Sequence, residues 1–482
     1  MSHSAKPFSS LVGSFVLFLL RNNHPQSMTV ALSVSPQQPS WKPKVASLEE
    51  RQKLRGKQHE SELIGTSGFH HVEFYCGDAK STAYRFALAL GMQITGETGQ
   101  STGNDKCVSY GLESDNVRFL ITAPYSIQAG RRVASSNAAD DDDDAPSDAP
   151  NPLPGFDPEK AHSMFAQHGL FARAVAVECK DAKLAFDQSV EQGAHPVVDP
   201  VRIESSDSRG CMVAEVQLYD DVVLRYVSFD DPISSDTPQR QPFLPHLAPV
   251  EGKIATRATF GIQRIDHAVG NVPDLLQALN RIQTFTGFHE FAEFTSEDVG
   301  TVESGLNSVV LASDTEDVLL PINEPTSGKR KSQIQTYLEQ NEGAGLQHLA
   351  LKTGDVFATI RKMKDAEENM GGFELMKRPS DAYYRELPDR LGDQLTQDQY
   401  NQLEELGILA DADDEGILLQ VFTKPIGDRP TFFFEIIQRI GCRYKPKNAE
   451  IEVERAGCGG FGQGNFKELF RSIEEHEKTL KV

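Results

Sequence analysis

The chain has 482 residues, 39% of them hydrophobic, long enough for at least two domains with separate cores. Its formal charge of −22 argues against a nucleic-acid surface, which needs a basic patch to meet phosphates. Six cysteines (Cys76, Cys107, Cys179, Cys211, Cys442, Cys458) show no Cys-x-x-Cys spacing, which reads as a reduced, intracellular chain without a disulfide framework.

No acidic residue precedes Glu49, and LVGSFVLFLL (Leu11 to Leu20) is an apolar run of signal-like length, too short for a stable membrane span. Residues 1–62 therefore read as an N-terminal extension, either a targeting segment or one with no address, and the compartment stays open. GFHHVEFYCGD (Gly68 to Asp78) reads as a strand, followed by a helical run Ala79 to Leu90 ending at Gly91. The run AADDDDDAPSDAPNPLPGFDP (Ala138 to Pro158) combines like charges with proline and serine and reads as a surface loop. FARAVAVECKDAKLAFDQSVEQGA (Phe171 to Ala194) then gives strand, turn and amphipathic helix.

Past a join near Arg240 to Pro245 the pattern returns. RIDHAVGNVPD (Arg264 to Asp274) precedes the helical LLQALNRIQTFTG, and its aspartate follows His267 by seven residues, as Asp78 follows His71. LQHLALKTGDVFATIRKMKDA (Leu346 to Ala366) parallels the stretch from Phe171, and the units continue into strand-like segments, SGLNSVVLAS and DVLLPIN before it and GILLQVFTKP after it. The chain thus reads as an α+β protein of four βαβββ modules forming two open, barrel-like domains, residues 63–240 and 241–482.

TFFFEIIQRIG (Thr431 to Gly441) is a strand with a carboxylate at its centre. Both faces of this strand look buried, so Glu435 must be protonated, paired with a cation or bound to a metal. Laying one half on the other narrows the choice. The second half offers His267, His348 and Glu435 where the first offers His71, Ala174 and Arg225, so only the second is expected to bind metal. Two imidazoles and a carboxylate can take one face of an octahedral ion and leave three adjacent positions open, which suits Fe(II).

GCGGFGQGNF near the end contains Gly-x-Gly-x-x-Gly, but no βαβ unit follows, which excludes a dinucleotide site. Instead the glycines read as a flexible lead-in to an amphipathic helix capped by Asn465 with Glu468, able to open and close over a pocket.

RIDHAVGNVPD, SGLNSVVLAS, LPINEP, KRKSQIQTYLEQNEGAGLQHLALKT, LLQVFTKPIGDRPTFFFEIIQRIGC and GCGGFGQGNFKELFRSIEEHEKTL together resemble the 4-hydroxyphenylpyruvate dioxygenase family, its plant and algal members above all. The resemblance runs from about Gly68 to Leu480. It implies a vicinal oxygen chelate fold, Fe(II) on His267, His348 and Glu435, and conversion of 4-hydroxyphenylpyruvate and O2 to homogentisate and CO2 in tyrosine catabolism. It places Ser308, Asn323, Gln333 and Gln347 toward the substrate, with Phe422 and Phe433 near its ring. Gln420 shares a strand face with Phe422 by alternation. Phe461 and Phe466, with Asn465 between them, would close over the ring as a lid. A homodimer is expected. Two other readings stay open here: 4-hydroxymandelate synthase chemistry on the same frame, and a metal-free binding protein built from the repeat.

Overall fold

The computed structural model of the protein describes residues 62–126, 151–204, 210–230, 243–250, 259–294, 305–326, 328, 331–444, 452–454 and 456–480. The apolar run from Leu11 to Leu20 and the run of aspartates lie outside them.

Four modules repeat one local program: a strand ends, an aspartate turns the chain, and a helix packs back on the sheet. The first comprises β1 (Thr66–Tyr75), α1 (Ala79–Leu90), β2 (Gln93–Thr98), β3 (Cys107–Ser114) and β4 (Val117–Pro124). After α2 (Pro158–His168), the second comprises β5 (Phe171–Cys179), α3 (Ala182–Glu191), β6 (Pro196–Ile203), β7 (Cys211–Tyr219) and β8 (Val222–Phe229). A short β9 (Ala248–Pro249) precedes the third: β10 (Ile262–Asn271), α4 (Leu275–Thr286), β11 (His289–Phe294), β12 (Leu306–Ala312) and β13 (Leu319–Pro325). Then α5 (Gln333–Gln340) leads to the fourth: β14 (Gly345–Thr353), α6 (Val356–Met370), two inserted helices α7 (Asp381–Leu391) and α8 (Gln397–Leu406), β15 (Leu409–Ala412), β16 (Ile417–Phe422) and β17 (Phe433–Ile440). The last helix is α9 (Phe466–Leu480).

The repeated aspartates are helix caps. Asp78, Asp181, Asp274 and Asp355 each accept a hydrogen bond from the backbone N–H three residues on, satisfying a donor that the first helical turn leaves open. That explains the shared interval from His71 to Asp78 and from His267 to Asp274.

The first two modules form one sheet in the order β6-β7-β8-β5-β1-β4-β3-β2-β9, the last two another in the order β11-β12-β13-β10-β14-β17-β16-β15. At the centre of each, the first strands of two modules run antiparallel, β1 beside β5 and β10 beside β14. Each is flanked by the parallel last strand of its own module, β4, β8, β13 or β17. The positions that bear the site therefore fall on adjacent central strands of the second sheet.

The two sheets share a core. Phe434 of β17 stacks on Phe119 at 5.7 Å and meets Phe86 edge-on at 5.7 Å, while Phe432 meets Phe74 at 5.2 Å. Both faces of β17 are buried, as its alternation predicts: Phe434 and Ile436 belong to this shared core, Phe433 and Glu435 point the other way, into the cavity described below. The loop reading of Ala138 to Pro158 extends too far. Leu153 and Phe156 are buried, Phe156 packs on Tyr75, and Asp157 caps α2 with Pro158 in its first turn. The apolar residues at the end of an acidic run have a core to join, and a cap-proline pair starts a helix.

Candidate metal centre and cavity

Strand register brings the three donors together. His267 of β10 lies opposite Ala350 of β14, and Ala350 lies opposite Glu435 of β17; His348 sits two residues before Ala350. Glu435 Oε2 is 3.2 Å from His267 Nε2 and 3.4 Å from His348 Nε2. The three donor atoms lie within 4.8 Å of one another, the one such cluster among the described residues. Burial opposes ionisation of Glu435, but hydrogen bonds and charge from His267 and His348 outweigh it and hold its pKa at about 2. A carboxylate ionised in a buried site, converging with two imidazole nitrogens, is a donor set that fits a divalent metal ion.

Each imidazole is oriented by the residue just before it. Asp266 Oδ1 accepts from His267 Nδ1 at 2.9 Å, and Gln347 Oε1 accepts from His348 Nδ1 at 3.0 Å. With Nδ1 held by these acceptors, Nε2, the nitrogen that faces Glu435, is the one each ring would offer to a metal ion on giving up its proton. A bulge between Ile265 and His267 makes room for Asp266, which is 1% exposed.

The matching positions in the first sheet are filled differently. His71 lies opposite Ala176, and Ala176 opposite Arg225, the register of His267, Ala350 and Glu435. Ala174 occupies the place of His348. The Arg225 guanidinium donates to Glu73 at 2.5 Å and to Glu215 at 2.7 Å and lies 2.9 Å from His71 Nε2, so it stands where a cation would stand. Arg225→Ala is expected to cost about 3–5 kcal/mol, because it leaves buried Glu73 without its cation and Glu215 with Arg173 at 3.7 Å, and to leave metal content unchanged. Denaturant titration and metal analysis of one preparation check both.

A cavity opens from the donor cluster. Ser308, Asn323, Gln333, Gln347, Gln420, Phe422, Phe433, Phe461 and Phe466 all line it. Ser308 and Asn323 are cross-strand partners on β12 and β13, and Phe422 lies opposite Glu435. Gln420 is 2% exposed, and its Oε1 has no hydrogen-bond partner among the described residues, so a buried acceptor faces the cavity unsatisfied. Phe433 stacks on His348 at 4.8 Å; across the cavity Phe461 meets the His267 ring at 5.3 Å, and Phe294 lies 6.1 Å from both Phe461 and Phe466.

The C-terminal segment departs from the sequence reading at three points. Asn465 does not line the cavity and makes no capping bond to α9 among the described residues; buried, it accepts from Tyr383 Oη at 2.7 Å. A short helical turn, Gln463–Asn465, runs straight into α9, so Asn465 lies within the helical run rather than at its cap. The glycines are close-packed rather than a free lead-in: Gly459 and Gly462 have φ of 79° and 76°, and a Cβ at Gly459 would come within 2.8 Å of the Ile417 carbonyl carbon. Cys442 and Cys458 form a disulfide, joining the end of β17 to this segment, while Cys76, Cys107, Cys179 and Cys211 are buried elsewhere. Leu469, Phe470 and Ile473, on the apolar face of α9 that was expected to cover a pocket, complete the apolar wall together with Phe294 of β11, which was not among the expected residues.

A curled mixed sheet with a metal-binding pocket defines a member of the glyoxalase class, and residues 264–393 match the family described as the glyoxalase/bleomycin resistance protein/dioxygenase superfamily. The fold resembles that of a variant of 4-hydroxymandelate synthase from Streptomyces coelicolor, with a TM-score of 0.65 and 21% identity over 86% of this chain and 100% of that one. Two plant proteins named 4-hydroxyphenylpyruvate dioxygenase are much nearer in sequence. The one from Arabidopsis thaliana is 51% identical over 88% of this chain and 91% of its own length, and that from Daucus carota 50% over 88% and 90%. The chain belongs to the 4-hydroxyphenylpyruvate dioxygenase family.

Proposed function

We propose that the chain binds one Fe(II) through His267, His348 and Glu435 and converts 4-hydroxyphenylpyruvate and O2 to homogentisate and CO2. The observation that carries this reading is the convergence of buried His267 and Glu435 with half-buried His348 at the end of an aromatic-walled cavity, in a chain about half identical to enzymes of that name. Fe(II), when bound, supplies adjacent open positions for an α-keto acid and O2 and the electrons that activate O2.

The remaining work falls to the chain. Asp266 and Gln347 hold Nδ1 of the two histidines, so Nε2 is the nitrogen each offers to the metal. The unsatisfied Gln420 Oε1, with Ser308, Asn323 and Gln333, offers the polar contacts that orient the substrate. Phe422 and Phe433 on one side and Phe461 and Phe466 on the other hold its ring by offset and edge contacts. Phe294, Leu469, Phe470 and Ile473 exclude water behind it. Because Phe461, Phe466 and the residues after them come from the C-terminal segment, we assign that segment the role of a lid, and place the metal in the second domain, residues 241–482. The same proposal includes a homodimer, which light scattering should register as twice the chain mass.

Product analysis tests the reading. Purified protein given Fe(II), O2 and 4-hydroxyphenylpyruvate should yield homogentisate and CO2 one for one. 4-Hydroxymandelate as the main product would move the chain to the synthase reaction, and no turnover with metal bound would reject both.

A further inference from the structure

We propose that Arg439 is a positioning residue that couples the closed placement of the segment 456–465 to the orientation of His267 toward its metal. The inference rests on the ligand assignment above and adds a link between that ligand and the lid.

Arg439 stands between the two. On one side its Nη2 and Nε donate to Asp266 Oδ1 and Oδ2 at 2.6 and 3.1 Å, a two-pronged grip on the carboxylate that accepts from His267 Nδ1. On the other, its Nη1 donates to the backbone carbonyls of Cys458 and Gly460, the latter at 2.8 Å. The guanidinium carbon lies 5.9 Å from the Phe461 ring centroid, and that ring rests on His267. One planar cation thus touches the segment's backbone, the segment's cavity-lining aromatic and the carboxylate behind the metal ligand. The Cys442–Cys458 disulfide anchors the segment to the end of β17 but makes no contact with His267.

The first half shows that the sheet does not require this pair. The residue before His71 is His70, where the second half has Asp266; the residue four past Arg225 is Phe229, where the second half has Arg439. There the two positions meet as rings, 5.3 Å apart. A fully buried ion pair is seldom the most stabilising choice for such a place, so its presence only in the half with donors and lid calls for another reason. When the segment beyond the disulfide swings out, Arg439 loses the Gly460 carbonyl and the Phe461 face, and its grip on Asp266 is less firmly fixed. A metal on Nε2 polarises the Nδ1–H toward Asp266 and tightens the same chain of contacts from the other end. Coupling of this kind is reciprocal: whatever the closed segment does for metal affinity, metal does for segment closure.

Metal-free protein titrated with Co(II) tests this, with hydrogen exchange of peptides from 456–465 measured with and without the ion. In the wild type Co(II) should slow exchange there by at least about fivefold. Arg439→Gln should weaken Co(II) binding by about 10–100-fold and abolish the metal-dependent slowing; Arg439→Lys, which keeps the charge without the fork, should fall between. A purely structural role would raise exchange equally with and without Co(II) and leave affinity alone. Should Arg439→Gln fail to fold, Arg439→Lys carries the test. Co(II) affinity within about threefold of wild type in the folded variants, or exchange of 456–465 indifferent to Co(II) in the wild type, overturns the coupling. A wild type that binds no Co(II) overturns the ligand assignment and the coupling with it.

Discussion

Glu435→Gln is expected to purify folded, with little or no iron and without measurable homogentisate formation. The substitution keeps the side chain's size and its place on β17 but removes the charge that two imidazoles converge on. Removing an outer partner of a ligand already costs about 10–100-fold in metal affinity, so losing a ligand should exceed that range. Metal analysis after desalting reads the effect directly, and full iron occupancy in this variant would dismiss the three-donor site. The pH dependence has a definite sign. With its pKa depressed to about 2, Glu435 contributes stability that is present above its ordinary value and fades as pH falls toward 2, so it supplies no limb near neutrality. His267 is the opposite case. Burial works against its protonation, but Asp266 and Glu435 outweigh burial and raise its pKa. Protons should therefore compete with metal more strongly as pH drops through that raised value, and iron should be lost at mildly acidic pH well before Glu435 titrates.

Truncation before Gly457 should separate O2 uptake from product. The cut removes Phe461, Phe466, Leu469, Phe470 and Ile473 from the cavity wall and leaves His267, His348 and Glu435 in place. Iron should still bind, though more weakly if Arg439 couples the two, while water enters where the aromatic wall stood. Oxygen electrode traces and chromatography of one sample should then show several O2 consumed per homogentisate. One-for-one conversion at the normal rate would make the segment a structural tail.

Much of the architecture could be read from the sequence because it is written in short-range patterns. Alternating apolar residues marked the strands, and the interval from histidine to aspartate marked a strand ending at a helix cap. The comparison of His267, His348 and Glu435 with His71, Ala174 and Arg225 worked because both halves keep one register, so position alone aligned them. What escaped depends on contacts between distant segments. The partnership of Asp266 with Arg439 needs a bulge, which periodicity cannot reveal, and a residue 173 positions away. Cys442 and Cys458 are brought together by a turn whose glycines look loose in sequence and are tightly packed in space. Asn465 carries the local signs of a cap, yet the chain is already helical from Gln463 and its side chain meets Tyr383 of the inserted α7. Local rules are defaults that a stronger distant partner can override.

The two faces of β17 have a practical consequence. One face carries Glu435 into the cavity; the other presses Phe434 against Phe86 and Phe119 of the first sheet, with Phe432 on Phe74. Residues 241–482 expressed by themselves would keep every proposed iron ligand and yet bare this aromatic surface, along with Phe373, to water. Such a patch invites self-association, and the strand that must hold a carboxylate to within tenths of an ångström would be the one left unsupported. The half that carries the donors is therefore not expected to work by itself. The half without donors serves it as the mould against which the ligand strand is cast, which gives a reason for the chain to carry both.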